Sequence, residues 1–467
     1  MKAFDLVIIG GGAGAFGAAI RANELRAKTA MINSGLPLGG TCVNVGCVPS
    51  KTLLYAGEIL HLAKSHGIPG IELEVRKFDF QKVVQDELAL VGKLRDEKYS
   101  KVLTSLEHVT FLEGRATFVS SHEVVQNGET IHGGKFIIAT GSTASIPPVE
   151  GIRETGFVTH IEALALEKQP KELVVIGAGP LGLEFGQMYS RFGTTVTVLE
   201  MLPTIFPASE PELVNRLSEV LSREGITIRT GARVKRAWKE KQKKFVAYEV
   251  EGKEERAAGD EILLATGKTP NTAGLGLEAA SVSIDKRQAV VVNEFLQTSN
   301  PNVFAVGDAA GLQLRLEITA GHEGTLAAEN ALSGSRKGID YDIVPYTIFT
   351  DHQLAGVGLT EEEQMKRFGT CMCRTVPFAD VPKAIITKRT EGLIKMAIHP
   401  ETKQITGVHI LAPHAGELVA QAMMLVKNRN TIDDVAESLP MFPTLSEAIK
   451  LAALSFTKDI SKLSCCI

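Results

Sequence analysis

The chain alternates between short apolar runs and longer amphipathic stretches through most of its length, a pattern that predicts parallel βαβ units. Two segments carry the same signal. In the first, Leu6-Val7-Ile8-Ile9 reads as a buried strand, Gly10-Gly11-Gly12-Ala13-Gly14-Ala15 as a tight turn and the residues up to Ala27 as a helix. In the second, Leu173-Val174-Val175-Ile176 is followed by Gly177-Ala178-Gly179-Pro180-Leu181-Gly182 and a helical run up to Phe192. Each copy continues into a second strand, residues 29–32 and 195–199, closed by Asn33 or Glu200. The offsets agree, 33 − 10 = 23 and 200 − 177 = 23. Two Rossmann-like dinucleotide-binding units are therefore expected. Ala139-Thr140-Gly141 and Ala265-Thr266-Gly267 also echo each other, each ahead of a proline-containing stretch, and read as the exits from the two units. Past residue 340 the style changes. Residues 346–349, 355–359 and 393–398 predict strands of a separate mixed sheet, residues 416–429 and 445–456 predict helices, and residues 458–467 read as a tail.

Composition narrows the class. With 467 residues the chain exceeds one ordinary core. Its 44% hydrophobic and 22% charged residues are those of a globular protein, which excludes a disordered chain, a fibre or a coiled-coil rod. The charge sum is 50 − 54 = −4, so no basic excess steers it onto nucleic acid or an anionic membrane. The apolar stretch over residues 4–20 is broken by Asp5 and five glycines and reads as strand, turn and helix, not as a signal peptide. A cytoplasmic protein is expected, with its thiols reduced unless some mechanism cycles them. Six cysteines are too few for a secreted disulfide scaffold, so their placement matters more than their number.

A glycine-rich turn between strand and helix lets backbone N–H groups approach a pyrophosphate at the helix N-terminus. Gly10, Gly12 and Gly14 provide this in the first copy, with Ala15 at the position that packs helix on strand; Gly177, Gly179 and Gly182 provide it in the second. Glu200 can accept hydrogen bonds from ribose hydroxyls and repels a 2′-phosphate, and residues 201–207 contain no Arg or Lys, which favours NADH over NADPH. Asn33, in the matching place of the first copy, can accept only through its amide carbonyl.

The strongest local signal is Gly39-Gly40-Thr41-Cys42-Val43-Asn44-Val45-Gly46-Cys47-Val48-Pro49-Ser50-Lys51. Two cysteines five residues apart at the opening of a helix can close a disulfide. The positive end of that helix favours thiolate at Cys47. The segment resembles the redox-active disulfide of the pyridine nucleotide–disulfide oxidoreductase flavoproteins. Residues 298–308, ending in Asp308, are similar to that family's second FAD motif, and residues 265–271 to its stretch after the second nucleotide domain, with Lys268 in place of the usual Arg. The resemblance implies a glutathione reductase-like α/β fold: an FAD-binding domain from residues 1–145 and 269–339, an NAD(P)H-binding domain over 146–268, and an α+β dimerisation domain over 340–467. It implies FAD contacts from Gly10, Gly12, Gly14, Ala15, Asn33, Gly40, Thr41, Lys51, Ala116, Thr140, Gly141 and Asp308. NAD(P)H contacts are implied for Gly177, Gly179, Gly182, Glu184, Glu200 and Gly267. It further implies an ion pair between Lys51 and Glu184 beside flavin and nicotinamide, Cys47 as the thiolate facing the flavin, and Cys42 as the exchanging thiol.

Disulfide-reducing members carry a His-Pro dipeptide whose His moves a proton to and from the substrate thiol. Here the matching stretch is Phe442-Pro443-Thr444-Leu445-Ser446-Glu447, and a phenyl ring cannot shuttle protons. The chain ends Cys465-Cys466-Ile467, a thiol pair similar to the vicinal cysteines of the mercuric reductases of that family. Soft thiolates select soft metals, and a metal ion accepting two electrons needs no proton from a His. The expected substrate is Hg(II), gathered by Cys465 and Cys466 and passed to Cys42 and Cys47 of a homodimer. No N-terminal metal-binding domain is read, so Hg(II) is expected to arrive from small thiols or another protein; the Tyr of many mercuric reductases is Thr444. Two alternatives stay open: a dihydrolipoamide dehydrogenase-like enzyme, and a non-catalytic soft-metal binder or redox sensor. Cys371 and Cys373 match no family motif and read as ordinary strand positions, with an auxiliary metal site as the alternative.

Overall fold

A computed structural model describes residues 2–464. The first nucleotide unit opens with β1 (Lys2–Ile9), α1 (Ala13–Glu24) and β2 (Thr29–Asn33), followed by the short helix α2 (Gly40–Val45) and the longer α3 (Cys47–Ser65). Its sheet is completed by β3 (Val109–Glu113), β4 (Ala116–Ser120), β5 (Glu123–Gln126) and β6 (Glu129–Ile138) in the order β3-β2-β1-β6-β5-β4. β1, β2, β3 and β6 run parallel, while β5 turns back, pairing antiparallel with both β6 and β4. The far segment Val303–Ala305 returns to this sheet and pairs parallel with residues 136–138 of β6. Apolar side chains on both faces of β1 are buried, Leu6 and Ile8 on one side and Val7 and Ile9 on the other, as a strand covered on both sides requires.

The second unit repeats the plan. Glu172–Ile176, the helix Pro180–Phe192 and Thr195–Leu199 form its start, and Thr227–Arg229 and Glu261–Leu264 flank them in a four-stranded parallel sheet. A three-stranded antiparallel ribbon, Arg233–Glu240, Lys243–Val250 and Lys253–Gly259, is inserted between the last two strands. The chain leaves and re-enters the first unit through Ser142–Ala144 and Lys268–Pro270, which pair with each other antiparallel. The two echoing exits thus each lead directly into one strand of the same two-stranded ribbon.

The C-terminal sheet has five strands, with the order Tyr346–Ile348, Gln353–Gly358, Ile405–Ala412, Leu393–Ile398, Met372–Pro377. Every neighbouring pair is antiparallel, so the expected mixed sheet is corrected to an antiparallel one. The cause is the connection: residues 399–404 make a tight reversal between two of the strands, and no crossover helix returns a strand in the parallel sense. Helices Ala415–Lys427 and Glu447–Leu454 bury Val419, Ala422, Ile449 and Ala452 against it. Ion pairs join this domain to the second unit. Arg191 contacts Glu224 at 2.8 Å and Asp351 at 3.0 Å. Lys395, almost fully buried, contacts Glu210 at 2.9 Å and Glu212 at 2.7 Å.

Candidate functional site

Both glycine turns have the geometry their sequences demand. Gly10 has φ +141°, and a Cβ there would lie 2.1 Å from the Ala139 carbonyl oxygen; Gly177 has φ +106° and would meet the Ala265 carbonyl oxygen at 2.4 Å. Each glycine thus permits the strand to press onto the exit of its own unit. The helix caps that follow, Gly12 and Gly179, make no side-chain cap hydrogen bond. At Gly179 an added Cβ would meet nothing within 4 Å. A helix end with uncapped N–H groups and an open approach suits a pyrophosphate, so the residues of both units fit a dinucleotide. Gly14 lies against the Ala320 carbonyl and Ala15 is fully buried, which closes helix onto helix.

Around the first turn the expected residues cluster. Asn33 stands against Gly11 and donates from its amide to the Leu36 carbonyl at 3.0 Å. Gly40 backs onto Gly12, close enough that a Cβ would come within 2.7 Å of its Cα. Thr41 follows it on α2, and the Asn44 amide donates to the Gly40 carbonyl at 2.8 Å, fixing the loop on α2. Thr140 Oγ1 donates to the Asn271 carbonyl at 2.8 Å and Gly141 has φ +68°. Asp308 sits in the turn Gly307–Ala309, where Oδ2 accepts a 2.5 Å hydrogen bond from Ser142. The buried Glu323 braces that turn by accepting from the Gly307 N–H at 2.7 Å. Ala116 is buried at the start of β4, paired with Gln126. In the second unit Glu200 Oε2 accepts from Ala178 N–H at 2.7 Å and Oε1 from Leu202 N–H at 2.8 Å. Its carboxylate therefore braces the Gly177 turn. Gly267, φ +95°, has open space around it. Arg229, which residues 201–207 could not reveal, ends the strand beside Glu200, its carbonyl accepting from the Glu200 N–H at 2.8 Å.

Cys42 and Cys47 are both free thiols, Cys42 half-buried and Cys47 exposed. They lie on different helices. Gly46 separates α2 from α3, and a Cβ at this position would come 2.9 Å from the Thr41 carbonyl oxygen and 3.3 Å from the Cys42 Cα. The missing side chain lets the chain fold back, so that Cys47 begins α3 beside Cys42. The Cys42 thiol donates to the Cys47 sulfur, and this hydrogen bond is the main reason that Cys47 is lowered to about 7; the Lys51 charge adds to it. The same bond pushes Cys42 well above the ordinary thiol range. One thiol is thus a thiolate near neutral pH and the other its proton reservoir.

Lys51, one turn along α3, donates to Glu184 Oε2 at 2.7 Å. Glu184 comes from the helix Pro180–Phe192 of the second unit and is almost fully buried. Its other oxygen, Oε1, accepts from the Phe349 N–H at 2.9 Å, and the Lys51 ammonium lies 4.6 Å from the centre of the Phe349 ring. Residues from three domains therefore meet beside the cysteine pair. Phe349, Glu323 and the charged neighbours Lys268 and Glu317 were not among the expected site residues; no spacing in the sequence links them to Cys47. Lys268 is partly buried and lowered by desolvation, with Asp308 and Cys47 opposing that shift. Phe442 is partly exposed, and Glu447 Oε2 accepts from the Thr444 N–H at 3.1 Å. Cys465 and Cys466 lie outside the described residues. Cys371 and Cys373, read as ordinary strand positions, are instead joined in a disulfide.

Comparison with known proteins agrees with this geometry. Residues 4–329 match the model of the pyridine nucleotide-disulphide oxidoreductases, and residues 344–453 match their dimerisation domain. The chain is 38% identical over 463 residues to a mercuric reductase of Lysinibacillus sphaericus, covering 99% of this chain and 84% of that protein. It is 37% identical over 471 residues to a dihydrolipoyl dehydrogenase of Thermus scotoductus, covering 98% of each. Among solved structures, the HOCl-induced flavoprotein disulfide reductase RclA from Escherichia coli superposes with a TM-score of 0.85 at 27% identity, covering 98% of this chain and 100% of that one.

Proposed function

We propose that this chain, which belongs to the pyridine nucleotide-disulphide oxidoreductase family, is a mercury(II) reductase that uses FAD and NADH. The observation that carries the reading is a dithiol without an acid–base histidine. Cys47 is lowered to about 7 beside Cys42, and Phe442 occupies the place of the His that a disulfide substrate would need. The similarity to mercuric reductases supports the same choice. What FAD would supply, held at the first glycine turn with Asp308, is two-electron transfer between a nicotinamide at the second turn and the cysteine pair.

The chain's own residues do the rest. Lys51 lowers the charge cost of the Cys47 thiolate, and Glu184 fixes Lys51. Cys42, on the far side of the hydrogen bond, carries the proton that leaves when both sulfurs bind metal. Hg(II) enters as a dithiolate complex. Each incoming protein thiolate displaces one thiolate, which leaves protonated as a free thiol. From the dithiolate complex the overall reaction is NADH + Hg(SR)2 + H⁺ → NAD⁺ + Hg(0) + 2 RSH; the proton goes to a leaving small thiolate that solvent can protonate, so no side chain at position 442 has to supply it. Cys465 and Cys466 collect the metal from bulkier ligands in this scheme, with small thiols or another protein as donor. A homodimer is supported by the dimerisation-domain match and by the exposed Leu439 and Met441 next to Phe442, an apolar segment that a partner subunit would cover. No described helix is long and apolar enough to cross a membrane, and the dithiol chemistry suits the cytosol.

The deciding experiment is anaerobic, steady-state oxidation of NADH with Hg(II) as the acceptor, with volatile Hg(0) trapped and counted. Many turnovers per flavin are expected. A single stoichiometric turnover would make the protein a metal binder. Faster turnover with lipoamide than with Hg(II) would favour the activity carried in the name of the Thermus relative.

A further inference from the structure

The second cysteine pair lies away from the machinery described so far. Cys373 stands in Met372–Pro377, an edge strand of the C-terminal sheet, and Cys371 just precedes it. Residues two apart in an extended chain face the same way, and these two sulfurs are joined in a disulfide. They line an open cleft of about 470 Å³ together with Glu212, Glu361 and Lys395. The Glu361 carboxylate and both sulfurs offer ligand atoms that all lie within 4.8 Å of one another.

Glu361 is fixed in place. Its Oε2 accepts from the Lys395 ammonium at 2.5 Å, and its N–H donates to Glu210 Oε1 at 2.7 Å. Lys395 also serves Glu210 and Glu212, so one ammonium faces three carboxylates. Arg374 also lines the cleft, so three carboxylates, Glu210 included, stand against two cations and leave a single net negative charge, which deepens when the sulfurs ionise and favours a cation. The second Glu361 oxygen, Oε1, is not engaged by Lys395. Two thiolates and a carboxylate on fixed elements, with one side open, form the three-ligand donor set that thiophilic divalent cations accept.

We propose that Cys371, Cys373 and Glu361 form a second, redox-gated site for a thiophilic divalent cation, separate from the Cys42–Cys47 pair. In the disulfide form each sulfur is bonded to the other and the site is closed. Two equivalents of a small thiol open it: the S–S bond accepts two electrons and two protons, and the thiols leave as their own disulfide. The cation then displaces both protons and forms two metal–sulfur bonds. Metal and disulfide exclude each other, so metal occupancy protects the pair from oxidation and oxidation expels the metal.

The test uses the full-chain, flavin-loaded protein with Cys42→Ser, Cys47→Ser, Cys465→Ala and Cys466→Ala, which leaves only Cys371 and Cys373. Cd(II) is titrated anaerobically, before and after treatment with a small thiol that is then removed. The thiol-treated protein is expected to bind one Cd(II) per chain with ultraviolet sulfur-to-metal charge-transfer absorbance, and the untreated protein none. Adding Cys371→Ser and Cys373→Ser should abolish the band while flavin absorbance and unfolding midpoint stay unchanged. Adding Glu361→Gln instead should weaken Cd(II) by at least about 10-fold. No Cd(II) band in the thiol-treated protein, or a band that survives loss of both cysteines, would overturn the site. A Glu361→Gln affinity within twofold would overturn the three-ligand assignment. The readout is binding in a protein lacking the catalytic pair, so it fails or succeeds independently of Hg(II) turnover.

Discussion

Glu184 joins two elements that are far apart in the chain: one carboxylate oxygen holds the Lys51 ammonium at 2.7 Å, and the other holds the Phe349 N–H at 2.9 Å. The position of Lys51 beside Cys47 is thus set by the second nucleotide unit and the C-terminal domain together, which is how a helix can carry its cation towards a thiol and keep it there.

The acidity of Cys47 should follow from its two neighbours in a fixed order. Its value of about 7 is due first to the hydrogen bond from Cys42 and then to Lys51. Cys42→Ala is therefore expected to raise it further than Lys51→Met, which should raise it by about one unit. The pH dependence of alkylation of the reduced protein reads both. A Lys51→Met profile identical to wild type would remove Lys51 from the electrostatics of the pair. Cys42→Ala should also abolish Hg(II) turnover while flavin content is retained.

Coenzyme choice should favour NADH, with kcat/KM above that for NADPH. One Glu200 oxygen braces the Ala178 N–H of the second turn and the other the Leu202 N–H just after the strand, and the carboxylate still opposes a 2′-phosphate. Glu200→Ala should narrow the preference by about 10-fold, the worth of one charged hydrogen bond. Arg229 on the adjacent strand is the competing influence, and a wild-type preference for NADPH would assign it that role.

The tail divides substrates by their ligands. Replacing Cys465 and Cys466 by Ala should remove most turnover with Hg(II) held by two bulky thiols, because the inner pair is then hard to reach. It should leave much of the activity with Hg(II) bromide. Equal rates for variant and wild type on the thiol complex would refute a collecting role.

Glu87 makes stability depend on pH. Among the described residues its buried carboxyl has no hydrogen-bond partner, and burial raises it from 4.5 to about 7. A raised carboxyl keeps its proton in the folded state, so its cost is absent below about pH 4.5 and grows as pH rises to about 7, reaching about 3 kcal/mol. Glu87→Gln should stabilise the holoprotein at pH 8 by up to that amount in urea unfolding and by little at pH 4. An equal gain at both pH values would mean the side chain is hydrated.

What was legible in the sequence was what lies close together along it. The two glycine turns, their matching offsets to Asn33 and Glu200, and the Cys42–Cys47 spacing are local patterns, and the fold class followed from them. The ribbon Arg233–Glu240, Lys243–Val250 and Lys253–Gly259 carries many Lys and Glu residues and exposes much of its surface, so it lacks a clean apolar alternation. Phe349 meets Lys51 across a domain boundary, and Glu323 and Lys395 reach Gly307 and Glu361 from other elements of their own domains; periodicity has no means of making any of these pairings. The sense of the C-terminal sheet was misjudged because strand direction depends on connections, which apolar runs do not record.

The return of Val303–Ala305 to β6 sets an order of events during synthesis. Residues 136–138 of β6 pair with it, and 303 − 138 = 165 residues separate the two. At the usual 5–20 residues per second the ribosome takes roughly 8–33 s to deliver the missing strand. The inserted nucleotide unit, whose ends lie side by side, can fold in that interval while the first sheet waits with part of an edge unpaired. The nascent chain is therefore most exposed to edge-to-edge association in this interval, and a chaperone protecting the unpaired end of β6 would act between the emergence of residue 138 and that of residue 305.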